Sequence, residues 1–128
     1  MSAHGSIPVL RIGSTLLASI QVELRDTIAD AFQEDILNTI SETGATGLVI
    51  DITGLEIVDS YVARVLGDTG RMATLMGTET VVVGMRPVVA ATLVRMGFRM
   101  EGVLTALNIE DGLALVSDLL VRRHPFGR

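Results

Sequence analysis

Residues 47–67 read GLVIDITGLEIVDSYVARVLG and contain a strand, a turn and the start of a helix. The run from 47 to 52 is almost uniformly apolar and rich in β-branched side chains, which is typical of a central strand covered on both faces. Asp59 and Ser60 then precede a helical pattern, as N-cap and first-turn residues do. A buried strand followed by a helix predicts an α/β arrangement around this segment.

The sequence before this segment predicts a hairpin and an amphipathic helix. Two short β-like runs flank Gly13 and Ser14, a plausible hairpin turn. Asp26 is a candidate N-cap for the helix, and Gly44 a candidate stop. The apolar residues between them recur every four positions, at Ile28, Phe32, Ile36 and Ile40.

The sequence after it predicts further alternation of helices and strands. We expect a helix from 60, a strand over 78–84, a helix between Pro87 and Gly97, a strand over 101–107 and a helix over 109–123. The first of these helices offers six apolar residues for burial: Val62, Val65, Leu66, Met72, Leu75 and Met76.

These elements together predict an α/β sandwich with a mixed, mostly parallel sheet and four helices. A chain of 128 residues fits one domain. We expect that domain to span 1–128, with an ordered core at about 6–120 and short flexible termini.

The composition excludes several kinds of catalysis. All ten basic residues are arginine, so a P-loop lysine and a Schiff-base lysine are excluded, and the lack of cysteine excludes thiolate chemistry. His4 and His124 lie near the ends of the sequence, which argues against a Ser-His-Asp triad or a histidine zinc site. The sequence therefore contains no pattern typical of a nucleotide cofactor site, and few routes to catalysis remain open.

Charge and hydropathy restrict the partners and the location. The net charge is −5 and only 3% of the residues are aromatic, so nucleic acid is a poor candidate partner. No apolar run approaches the roughly 20 residues that cross a bilayer, and residues 1–6 do not resemble a signal peptide. We expect a cytoplasmic protein without a membrane partner, in agreement with the lack of cysteine.

The acids around the central strand allow two interpretations. Asp51, Glu56 and Asp59 lie at or after its carboxyl end, where a Mg²⁺ site with phosphorylation on Asp51 is conceivable. Such a site normally needs a lysine and a second acidic cluster, whereas the early strands are followed only by Glu23 and Asp26. The second interpretation, which we favour, is that Asp51 and Asp59 bond to backbone groups at a turn and a cap.

Ser60 also allows two interpretations on physical grounds alone. It is an ordinary residue for a helix start, or it is a regulatory phosphorylation site at the positive end of a helix dipole. A phosphate there would add about −1.5 to −2 charges beside Asp59 and Glu56. That arrangement suits a switch that breaks an interface.

The quoted segment resembles the signature of STAS domains, the family of anti-sigma-factor antagonists. In that signature a strand ends in Asp-(Ile/Leu)-(Ser/Thr), and Asp-Ser or Asp-Thr follows at a helix start. Asp51, Ile52 and Thr53 match the first part, and Asp59 and Ser60 match the second. The resemblance implies that a partner serine kinase phosphorylates Ser60.

Over about residues 6 to 120 the chain is more specifically similar to the RsbS-like scaffolds of the bacterial stressosome. Tyr61 and Val62 stand where freely diffusing antagonists have a small residue and a glycine, and the similarity extends to VVVGMRPVVAATLVRMG at 81–97. The residues expected to form the switch loop and contact partners are Asp51, Thr53, Glu56, Asp59 and Tyr61.

This similarity implies a non-catalytic scaffold that associates with itself and with RsbR-like STAS proteins. It would sequester an RsbT-like serine kinase and release it on phosphorylation of Ser60 to start the general stress response, and an RsbX-like phosphatase would reset it. The alternative is a free anti-sigma-factor antagonist regulated by serine phosphorylation. Thr92 matches a phosphorylated threonine of RsbR-like relatives, but we expect no regulation there, since a threonine at this position equally suits packing in the core or on the helix surface, with a bond to its own preceding turn.

Overall fold

The computed structural model describes residues 7–97 and 103–123, and its elements follow the predicted order. The strands are β1 Val9–Ile12, β2 Thr15–Ser19, β3 Gly47–Asp51, β4 Glu79–Val83 and β5 Leu104–Ala106. The helices are α1 Asp26–Thr43, α2 Ser60–Leu75, α3 Pro87–Arg95 and α4 Ile109–Arg123. Of the predicted flexible termini, residues 1–6 and 124–128, with His4 and His124, lie outside the described residues, whereas residues 121–123 belong to α4.

The sheet has the spatial order β1-β2-β3-β4-β5. β1 runs antiparallel to β2 through the predicted hairpin, and the other pairs are parallel. The mixed, mostly parallel sheet is therefore confirmed. Ser19, Asp51 and Val83 are aligned across β2, β3 and β4, so the loops that follow these three strands meet at one edge of the sheet.

Alternating strand residues form two cores, one on each face of the sheet. On one face, strand residues pack together with Ile20, which follows β2, against α1, α2 and α3; these strand residues include Leu16, Ala18, Leu48, Ile50 and Val82. On the other face, a smaller cluster is formed by strand residues that pack against Val116 of α4, namely Leu17, Val49, Val81 and Val83. Burial on both faces explains why β3 and β4 read as continuous apolar runs. Within 7–97 and 103–123, no helix is long and apolar enough to cross a membrane.

Helix α1 begins one residue earlier than the sequence predicted. Arg25, not Asp26, is the N-cap, because the carbonyl of Arg25 already accepts the amide of Ala29 at 2.7 Å. The predicted stop is confirmed, since Gly44 adopts φ 67° and donates its amide to the carbonyl of Ile40.

The second half of α2 contradicts the predicted burial of its large apolar residues. Met72, Leu75 and Met76 are 41%, 89% and 43% exposed, whereas Val62, Val65 and Leu66 are buried as expected. The buried side of this half is formed by small residues instead, namely Gly67, Thr69, Gly70 and Ala73. The side chains of Met72, Leu75 and Met76 therefore project away from the core.

Thr80 in β4 is a core residue whose hydroxyl has no hydrogen-bond partner among the described residues. It is only 3% exposed. We expect Thr80→Val to raise the free energy of unfolding by about 1 kcal/mol, because an unsatisfied buried hydroxyl costs about 1–3 kcal/mol. Chemical denaturation of the two proteins measures the difference.

Thr78→Val is the matched control for this change. Thr78 is also fully buried, but its hydroxyl donates to the carbonyl of Ala45 at 2.8 Å. The same substitution should therefore destabilise the protein at this position. Equal effects at Thr78 and Thr80 would contradict the assignment of Thr80 as unsatisfied.

Candidate functional site in the loop between β3 and α2

Ser60 is exposed on the first turn of α2, directly after a well-formed N-cap. Asp59 has extended backbone angles, φ −88° and ψ 179°, and its Oδ1 accepts the amide of Val62 at 2.9 Å. This is the cap that the sequence predicted, and it satisfies one of the free amides of the first helical turn. The cap holds the backbone of Ser60 in place while its side chain faces solvent.

The side chain of Asp51 accepts hydrogen bonds within the turn that follows β3. It is only 8% exposed, and its Oδ1 accepts both the amide of Thr53 at 2.9 Å and the hydroxyl of Thr53 at 2.6 Å. The interpretation of Asp51 as a turn residue is therefore confirmed. In the part of the chain that the structure describes, no group of three acids or histidines is arranged to hold a metal ion.

The loop after β4 closes tightly over this turn. Gly84 adopts φ +79°, and a Cβ placed on it would lie 2.0 Å from Oγ1 of Thr53 and 2.9 Å from Oδ1 of Asp51. Arg86 donates its Nε–H to the carbonyl of Thr53 at 3.0 Å. The turn is thus held from the side of α3 as well as by its own aspartate.

The loop after β2 approaches the same turn from the other side. A Cβ on Gly54 would lie 2.7 Å from the carbonyl oxygen of Ile20, so the two backbones are in direct contact there. The sequence analysis missed Gly54, Gly84 and Arg86 as residues that shape the site. A glycine at the end of a buried strand is a signal for Gly84, but Arg86 has no local signal.

Beyond the turn, the loop alternates buried anchors with exposed side chains. Leu55 and Val58 are 2% and 3% exposed, whereas Glu56 is exposed and Ile57 is 73% exposed. Leu55, Glu56 and Ile57 line a shallow cleft of about 160 Å³ together with Glu23 and Gly54. An acidic and an apolar side chain are therefore presented to solvent a few residues before Ser60.

Tyr61 connects the start of α2 to the neighbouring helix. Its hydroxyl donates to Oδ1 of Asp30 in α1 at 2.7 Å. Tyr61 is half-buried, and its ring packs against the larger core. Asp30 was not identified from the sequence, because nothing local to it indicates that α1 and α2 are adjacent.

Thr92 lies apart from this loop, in the middle of α3. Its hydroxyl donates to the carbonyl of Val88 at 2.8 Å, one turn earlier in the same helix. This is the bond to the preceding turn that the sequence analysis weighed against regulation at Thr92. Asp51 thus ends β3, and Thr53, Glu56 and Asp59 follow in the loop before Ser60 and Tyr61, whereas Thr92 lies outside this loop.

Two proteins of Bacillus subtilis match about three quarters of this chain. The RsbT co-antagonist protein RsbRA of Bacillus subtilis is 27% identical over 95 residues, which cover 74% of this chain and 35% of RsbRA. RsbRC of the same organism is 30% identical over 99 residues, which cover 77% of this chain and 34% of RsbRC. The chain thus spans about a third of the length of these relatives.

Two solved structures match nearly the whole chain. A serine-to-glutamate variant of RsbS from Moorella thermoacetica is 38% identical, with a TM-score of 0.78, over 89% of this chain and 97% of that one. A chain in the solved architecture of the stressosome, described as a signal integration and transduction hub, is also 38% identical. It matches with a TM-score of 0.70 over 88% of this chain and 98% of that one. The STAS domain model matches residues 6–112. With this match added to the sheet order and the Asp59–Ser60 helix start, the chain belongs to the STAS domain family.

Proposed function

We propose that this protein is a non-catalytic scaffold of a stressosome in the bacterial cytoplasm. It assembles with itself and with RsbR-like STAS proteins and holds an RsbT-like serine kinase on the surface that includes the loop between β3 and α2. Phosphorylation of Ser60 releases the kinase to start the stress response, and an RsbX-like phosphatase restores the unmodified state.

The observation that carries the proposal is the exposed Ser60 at the start of α2. Its backbone is fixed by the Asp59 cap, and its side chain is open to a kinase. The similarity to RsbS and to a stressosome chain, each covering almost the whole of the matched chain, supports a scaffold. The names of the RsbR relatives, RsbT co-antagonists, support an RsbT-like kinase as the partner.

The electrostatics of the loop explain how phosphorylation would act. A phosphate on Ser60 adds about −1.5 to −2 charges directly after the exposed Asp59 and four residues after the exposed Glu56. A protein partner seated on this surface would have to desolvate that charge, which costs several kcal/mol when the charge is not paired. Phosphorylation should therefore weaken the complex with the kinase.

The packing of the loop explains why such a switch would leave the fold intact. Asp51 and the residues Gly84 and Arg86 hold Thr53 independently of Ser60. The Asp59 cap is made to the amide of Val62, not to Ser60. A change in charge at Ser60 thus alters the surface without removing any of these contacts.

Co-assembly tests the scaffold role directly. The purified chain is mixed with an RsbR-like protein, and the size of the product is measured by analytical ultracentrifugation and electron microscopy. We expect a large particle that contains both proteins and retains an added RsbT-like kinase. A chain that stays monomeric beside the RsbR-like protein and binds a kinase one to one would contradict the scaffold and favour a free antagonist.

A further inference from the structure

The outward face of α2 carries a regular stripe of exposed and half-exposed side chains. Arg64, Asp68, Arg71 and Leu75 are spaced four, three and four residues apart, so they lie on one side of the helix. Arg64 and Arg71 are exposed, Asp68 is partly exposed, and Leu75 is 89% exposed. The same 3-4 spacing forms the contact seam when two helices pack along their length.

The charges along this stripe alternate in sign. Arg71 forms an ion pair with Asp68 within the helix, and Arg64 lies one turn before Asp68. In an antiparallel pair of such helices, the register that places Asp68 opposite Arg71 of a second copy brings unlike charges together at two symmetric positions. In the same register, Leu75 lies opposite Arg64, whose aliphatic stem can cover it.

A different register is disfavoured by the same charges. Centring the pair on Asp68 would place two carboxylates face to face and Arg64 close to Arg71 of the other copy. Like charges in direct apposition across an interface oppose association. The stripe is therefore complementary to itself in one antiparallel register.

We propose that the outward face of α2, defined by Arg64, Asp68, Arg71 and Leu75, binds the same face of a second copy of this chain about a two-fold axis. The proposed function includes self-association but names no surface for it, and this contact supplies one. Ser60 lies one turn before Arg64, beyond the four residues of each helix that form the contact. Four side chains from each helix make a small interface, so the association should depend on protein concentration.

Complementary charge reversals test this contact. Asp68→Arg leaves only cations at positions 64, 68 and 71, and Arg71→Asp places carboxylates at both 68 and 71. In sedimentation velocity over a concentration series, each variant alone should self-associate about tenfold or more weakly than the unmodified chain. An equimolar mixture of the two variants should recover the association, because each arginine at 68 then faces an aspartate at 71.

The mixture separates this contact from an effect inside one helix, since the lost Asp68–Arg71 ion pair is not restored by mixing. Glu34→Arg, a reversal on the exposed face of α1, is the control and should leave the association unchanged. Leu75→Ser should weaken the association, and circular dichroism checks that every variant is folded. Single reversals that associate like the unmodified chain, or a mixture that fails to recover, would overturn the contact. The sedimentation samples contain neither a kinase nor an RsbR-like protein, so the result does not depend on the role of Ser60.

Discussion

Ser60→Ala should abolish phosphate incorporation when the chain is incubated with an RsbT-like kinase and ATP. Ser60 is the exposed hydroxyl at the capped start of α2, whereas the hydroxyl of Thr92 is bonded to the preceding turn of α3. Mass spectrometry of the unmodified chain should locate the phosphate on Ser60. Thr92→Ala should be phosphorylated normally. Full incorporation into Ser60→Ala would eliminate Ser60 as the acceptor.

Ser60→Asp should weaken retention of the kinase by about tenfold or more, because a charge that must be desolvated costs more than the 1.4 kcal/mol that corresponds to tenfold. Ser60→Asn is the matched control, since it has the same shape and is uncharged. A pull-down or interferometry measurement with both variants isolates the charge. If Asn and Asp reduce binding equally, shape rather than charge controls the interface.

Gly84→Ala should destabilise the protein by about 2–5 kcal/mol. Placing an alanine in the left-handed region costs about 1–2 kcal/mol, and overpacking adds about 1–3 kcal/mol. Both terms apply here, because φ is +79° and the new Cβ would lie 2.0 Å from Oγ1 of Thr53. Urea denaturation monitored by circular dichroism measures the change in the free energy of unfolding.

Gly77→Ala separates the two terms. Gly77 also has a positive φ, +89°, but no atom lies within 4 Å of the position of its Cβ. It should therefore show only the backbone cost of about 1–2 kcal/mol. Thr53→Ala itself removes the hydrogen bond from the Thr53 hydroxyl to Asp51, so the double variant Thr53→Ala and Gly84→Ala is compared with the sum of the two single variants. The double variant should lose less than that sum, because the nearest clashing atom is then absent. Equal losses at Gly77 and Gly84, with additive losses in the double variant, would refute the close packing of Thr53 against Gly84.

The local parts of the site could be predicted from the sequence. Asp59 caps α2 and Asp51 closes its turn because each side chain bonds to a backbone group two or three residues away. The strand β3 was recognisable because burial on both faces requires a continuous apolar run. In each case the cause lies within a few residues of its effect.

The misjudged residues of α2 show where local reasoning fails. Met72, Leu75 and Met76 fit a helical pattern of apolar residues, yet Gly70 and Ala73 form the buried side of that half of the helix. Which side of a helix is buried depends on the space that the sheet and the other helices leave. The sequence of the helix contains no information about that space.

The sequence by itself determined the order of elements, the mixed α/β class and the capped start of α2, because periodicity, capping and turn formation act over a few residues. The tertiary structure decided which distant residues complete the site. Gly84 and Arg86 enclose Thr53, and Asp30 binds Tyr61, across separations of about thirty residues. These contacts arise because parallel strands bring the loops at their carboxyl ends to one edge of the sheet, and because packing on that sheet sets α1 beside α2.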